Sequence, residues 1–186
     1  WLRWNITIGM IRISRRMTAT ALATGADTVV TCREIAQARA LADTFSPRPL
    51  LCGERRCRPI EGFDLGNSPA EYTRESVFGR QLVLTTTNGT AAMEATRHAD
   101  QVVTASFLNL SAVVSSLATA DKVHLVCAGT DGHITIEDVL LAGVLVDRCQ
   151  ANYGAVASGD ESVLASQLWR SWFGSQKMPG REALSA

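Results

Sequence analysis

The chain has 186 residues, 46% hydrophobic and 19% charged, with 18 basic against 18 acidic side chains and a formal net charge of zero. That length suits one well-buried domain and is short for two. A neutral balance excludes a global field steering the protein toward nucleic acid or an anionic membrane, so any anion must be captured locally. The longest apolar run, 139–146, is broken by Gly143 and is far below the roughly 20 residues of a spanning helix, so no membrane segment is expected.

Taken from the start, residues 1–16 read as an atypical segment, from a fragment or a shifted reading frame: Trp1 is no initiator, and Ile11-Arg-Ile-Ser-Arg-Arg16 is basic without a signal-peptide core. From about residue 20 strand-like and helix-like patterns alternate. Thr28-Val-Val-Thr-Cys32 leads to a helix over 33–42, and Leu50-Leu-Cys52 opens a loop carrying Gly53-Glu-Arg55. Leu82-Val-Leu84 empties through Thr85-Thr-Thr-Asn-Gly-Thr90 into a helix over 91–98. Gln101-Val-Val-Thr-Ala105 precedes a helix with Leu110, Val113, Val114 and Leu117 on one face. Lys122-Val-His-Leu-Val126 precedes another, whose stripe is Ile136, Val139, Leu140, Gly143 and Val144, with Thr135 and Asp138 spaced as a capping box. Residues 150–160 read as a loop, and 161–173 as a last helix with Leu164, Leu168 and Trp172 stacked. The tail 175–186 is polar and is expected to fray.

This alternation predicts an α/β fold: a single domain over 17–174 with a mixed, largely parallel sheet flanked by helices. In such a sheet the strand ends share one edge, where ligands bind, so Asn88, Asn109 and the 129–137 loop should converge. Five cysteines (Cys32, Cys52, Cys57, Cys127 and Cys149) form an odd set with no C-x-x-C pair, which predicts a reducing, cytoplasmic setting. His98, His124 and His133 show no metal-ligand spacing. Gly129-Thr-Asp-Gly132 lacks the G-x-G-x-x-G spacing of a dinucleotide site.

Two segments carry more polar chemistry than packing needs: Glu61-Gly-Phe-Asp-Leu-Gly-Asn-Ser-Pro69 and the threonine-rich loop at 85–90. Together with Glu54-Arg55, Ser106-Phe107 and Asn109, Cys127-Ala-Gly129, and Glu137-Asp138 with Ala142-Gly143, they resemble the ordered motifs of the 2-phosphosulfolactate phosphatase family over about residues 19–149. The resemblance implies a magnesium-dependent hydrolase that removes phosphate from (2R)-2-phospho-3-sulfolactate or a related 2-phospho acid, a step of coenzyme M biosynthesis. The implied partner is a small polyanionic phosphorylated substrate, and a homo-oligomer is left open. Two departures stand out. Gly9-Met-Ile-Arg12 stands where members have Asp-Val-Leu-Arg-Ala, and a further family segment is missing after Ala186. They support a second reading, a non-catalytic, anion-binding remnant of the family.

On the leading reading the catalytic candidates are Asp64, Glu54 and Asn88, and Mg2+ would be held by Asp64, Glu137 and Asp138, since magnesium takes one or two carboxylates plus water. Asp64 equally suits an Asx-turn acceptor, and Glu137 and Asp138 equally suit favourable charges at a helix N-terminus. Thr87, Gly89 and Thr90 are candidates for phosphate or sulfonate, against the alternative of a helix cap. Arg55 would grip an anionic group with its planar fork or belong to a solvated basic loop with Arg56 and Arg58. Asn67, Ser68, Asn109 and Gly129 complete the expected substrate contacts. Cys127, at the end of an apolar strand, reads as a buried structural thiol.

Overall fold

A computed structural model describes residues 4–10, 14–96 and 98–174, with side chains from residue 17 onward. The expectations at Arg12 and in the tail beyond 174 lie outside the described residues. Among them no helix is long and apolar enough to cross a membrane.

The strands are mostly parallel and flanked by helices, as an α/β domain requires, and they hydrogen-bond as two sets. In the first, β1 (Trp4–Met10) lies between β6 (Gln101–Thr104) and β7 (Ala120–Cys127), parallel to both. In the second, β5 (Gln81–Thr85) lies between β2 (Thr28–Thr31) and β3 (Leu50–Arg55), again parallel, and β4 (Arg58–Pro59) turns back antiparallel on β3.

Strand alternation explains how the second sheet is covered. Leu82 and Leu84 face one side of β5, where they pack with Cys52, Tyr72, Val77 and with Met17 and Ala21 of α1 (Ser14–Ala23). Val83 faces the other side and packs with Leu51 and with Ala38 and Ala42 of α2 (Ile35–Ala42). Val77 closes the one-turn α3 (Arg74–Val77), and α4 (Gly89–Ala95) follows β5. The first sheet is covered by α5 (Leu110–Ser116) and α6 (Ile136–Tyr153), with α7 (Asp160–Phe173) packed on α6, through Leu110, Val113, Val114, Leu117, Leu140, Leu141, Val144, Leu145 and Trp169. Gly143 allows α6 and α7 to touch: a Cβ there would lie 2.1 Å from the Ala165 carbonyl oxygen.

Four local expectations are corrected. β3 does not stop at Cys52 but continues through Glu54 and Arg55, then turns at Arg56 and Cys57, both at positive φ (51° and 60°). A two-residue hairpin needs that conformation, which Asn-Gly advertises and Arg-Cys does not. α6 runs to Tyr153, into the expected loop, because Gly154 supplies the left-handed cap at φ 66°. On α7 the buried face is Ala165, Ser166 and Trp169, while Leu164 and Trp172 are exposed (64% and 55%). Trp169 instead stacks on Phe173 at 4.5 Å. Cys127 is exposed, against the buried thiol expected, because β7 is an edge strand.

Candidate active site

Because β1, β6 and β7 run parallel, as do β2, β3 and β5, the strands of each group end together, and the loops after β5 and β7 meet across the two sheets. The Asp131 amide donates to Asn88 Oδ1 at 3.3 Å. Asp131 holds a positive φ of 50°, which its short polar side chain tolerates.

The loop at 85–90 is bound to the β3–β4 hairpin. Glu54, only 6% exposed, accepts from the Thr87 amide at Oε1 (2.8 Å), and from the Thr87 hydroxyl (3.1 Å) and the Cys57 amide (2.8 Å) at Oε2. The Arg56 amide donates to Thr87 Oγ1 at 2.9 Å. Arg55 turns inward: its guanidinium donates to the Arg33 carbonyl, to Thr85 Oγ1 at 2.7 Å and to the Glu54 carbonyl at 3.1 Å. The Thr90 hydroxyl donates to the Thr86 carbonyl within the turn. Thr86 differs, being 3% exposed with a hydroxyl that has no partner among the described residues. A buried hydroxyl in that state carries a desolvation cost until something bonds it.

Beside Glu54 lies a cavity of about 300 Å³, lined by Glu54, Cys57, Arg58, Ile60, Phe63, Asp64, Leu65, Asn67 and Glu71 among others. Asp64 Oδ2 accepts from the Leu51 amide at 2.8 Å and lies 3.8 Å from Arg48, while its Oδ1 has no hydrogen bond among the described residues. Glu71 accepts from the Gly66 and Ser68 amides, so Ser68 caps the 3₁₀ turn Pro69–Glu71. Asn67, between them, has a buried Oδ1 without a partner. Below the cavity Tyr72 donates to the Gly66 carbonyl at 2.9 Å. Burial pushes the Cys52 thiol up to about 12, with Asp64 and Glu71 adding to the rise and the Tyr72 hydrogen bond opposing it. Burial also raises the Tyr72 phenol.

At the start of α6, Thr135 is the N-cap residue, but its hydroxyl is buried without a partner and the expected capping box does not form. Asp138, 2% exposed, instead accepts from the Gly129 amide at 2.9 Å and ties the β7–α6 loop to the helix. Asn109 closes its own turn, accepting from the Ser106 amide at 2.7 Å and donating to the Thr104 carbonyl at 3.0 Å. The structure thus joins Glu54 to Thr87, Asn88 to the 129–132 loop, and Asp64 and Asn67 to one cavity. It turns Asn109 and Arg55 back on the backbone. Thr86 and Glu71 were not singled out from sequence, Thr135 was read only as a helix cap, and Asp131 only as part of the converging 129–137 loop. Thr86 and Thr135 stood next to flagged residues, but an orphaned hydroxyl leaves no trace in a residue pattern.

The acids can be tested against magnesium. Among the described residues no three His, Cys, Asp or Glu side chains gather to hold an ion. One or two carboxylates with water suffice for magnesium. Asp64 fits best, with a free oxygen on a cavity large enough for water. Glu137 and Asp138 sit at the positive end of a helix, which disfavours a cation.

Polar loops gathered at the carboxyl edges of parallel strands define an α/β domain of the kind in which ligands bind at that edge. The family model for 2-phosphosulpholactate phosphatase matches residues 6–181, and the chain belongs to that family. Similar proteins named "Probable 2-phosphosulfolactate phosphatase" occur in Thermotoga petrophila (43% identical over 150 residues, 81% of this chain and 64% of the relative). Others are found in Synechococcus sp. strain RCC307 (36% over 174 residues, 90% and 71%) and Symbiobacterium thermophilum (38% over 174 residues, 92% and 74%). The chain therefore spans a little under two thirds of the Thermotoga relative.

Proposed function

We propose that this domain hydrolyses the phosphate monoester of (2R)-2-phospho-3-sulfolactate or a related 2-phospho acid, with magnesium as cofactor. The family match over 6–181 carries the reading. The unpartnered Thr86 hydroxyl, in the loop that leaves β5, supports it. A phosphoryl oxygen accepting from that hydroxyl would relieve its desolvation. Asn88, 3.3 Å from the Asp131 amide, joins the loops that leave the two sheets, and its amide nitrogen would donate to a ligand held between them. The unpartnered Asn67 Oδ1 suits a substrate hydroxyl or water at the cavity wall.

Magnesium would be held by Asp64, where it would neutralise phosphoryl charge and acidify a bound water. The protein's own part is to orient the ester through Thr86, Asn88 and the loop amides, and to keep their donors aimed where charge develops. Release of phosphate from (2R)-2-phospho-3-sulfolactate, with and without magnesium, tests the reading. Asp64→Asn should lower turnover by about 10²–10³. Phosphate binding without turnover in the wild type would instead identify a non-catalytic anion-binding protein.

A further inference from the structure

We propose that Glu54 is a positioning residue: its buried carboxylate sets the backbone of the 85–90 loop and takes no part in proton transfer. Three donors converge on it, the Thr87 amide, the Thr87 hydroxyl and the Cys57 amide. They come from two segments, the β3–β4 turn and the loop leaving β5. Only an acceptor-only group satisfies them all. An amide in its place would set an NH2 against an N–H, and a histidine would offer at most one acceptor. The Arg56 amide to Thr87 Oγ1 adds a second strap between the same segments.

The backbone is built to bring this carboxylate in. Gly53 has φ +134°, and a Cβ on it would lie 1.8 Å from the Thr85 carbonyl oxygen, so β3 approaches β5 as only glycine permits one residue before Glu54. Arg55, one residue after, holds Thr85 Oγ1 and the Arg33 carbonyl. The Glu54 charge is thus directed to the Thr87 and Cys57 amides and the Thr87 hydroxyl. That resolves the paradox of an acid next to a loop that would hold an anion, since both oxygens are directed to donors of the loop itself. With Oε2 taking two donors and Oε1 held by the Thr87 amide, the carboxylate is fixed toward the protein's own donors, whereas a general acid or base must be aimed at the substrate.

The inference rests on the proposed function only where turnover is read. The test compares wild type, Glu54→Gln, Thr87→Val and Thr87→Ser by amide hydrogen exchange, by titration with inorganic phosphate and by the pH dependence of turnover. Expected are exchange at the Thr87 and Cys57 amides at least about tenfold faster in Glu54→Gln, and weaker phosphate binding. A raised KM should outweigh any loss in kcat, with the pH profile keeping both limbs. Thr87→Val should reproduce the weaker binding and Thr87→Ser should restore it, because serine keeps the bridging hydroxyl. Unchanged protection of both amides in Glu54→Gln would overturn the proposal. So would loss of one pH limb with phosphate affinity intact. If the wild type shows no turnover the phosphatase reading fails, while the amide and phosphate measurements still decide the role of Glu54.

Discussion

At the scale of single residues, the site is a set of carboxylates with distinct tasks. Asp64 holds the Leu51 amide with one oxygen, and among the described residues the other has no donor. Asparagine can keep the Leu51 bond through its carbonyl, and the Arg48 pair at 3.8 Å is exposed and weak. Asp64→Asn should therefore cost no more than about 1 kcal/mol of stability while removing magnesium-dependent turnover, and thermal melts beside phosphate-release assays would check both halves. Cys52 makes a different prediction. Its thiol is raised from 9.0 to about 12, so the folded state keeps the proton that the unfolded state loses first. Stability should be fully present below about pH 9 and fall as pH rises toward about 12, with Tyr72 acting in the same direction. Denaturant melts across that window would show it. At pH 8 a thiol reagent should label exposed Cys57 and Cys127 and reach Cys52 only on unfolding.

Elements were legible to the degree that their signals are local. The apolar triplet Leu82-Val-Leu84 announced β5, and Leu110, Val113, Val114 and Leu117 marked the buried face of α5 and its C-cap. The β3–β4 hairpin was not legible, because its turn residues, Arg56 and Cys57, take positive φ only under the hold of the surrounding bonds. Two glycines test how elements are joined. Gly53→Ala would drive a methyl into the Thr85 carbonyl at a φ alanine avoids, and should cost at least about 2 kcal/mol and loosen the 85–90 loop. Gly143→Ala would separate α6 from α7 at Ala165, with a cost of about 1–3 kcal/mol. Urea titrations measure both, and only the first should also weaken phosphate binding.

Over the whole molecule, the decisive feature is that two parallel sheets end toward one another. Asn88 follows β5 of one sheet and Asp131 follows β7 of the other, and their hydrogen bond joins the edges. An exposed bond of 3.3 Å contributes little to stability, less than about 1 kcal/mol. On the proposed function, its value would lie in placing the two loops for a shared ligand. Inorganic phosphate should raise the melting temperature of the wild type by mass action, and Asn88→Ala should blunt that rise while leaving the melt without phosphate nearly unchanged. Equal phosphate shifts in both proteins would remove Asn88 from the site.

The α/β class, the order of most strands and helices and the family were readable along the chain. These follow from periodicity, turn residues and motif order, which are written along the chain. Tertiary structure alone decided which partner each polar group received. Glu54 became the anchor of Thr87, Asp138 took the Gly129 amide instead of capping with Thr135, and Asn109 closed its own turn. Each choice is made between donors and acceptors brought together by packing, from segments as far apart as Glu54 and Thr87, and no local pattern records which of several nearby acceptors a buried amide will find.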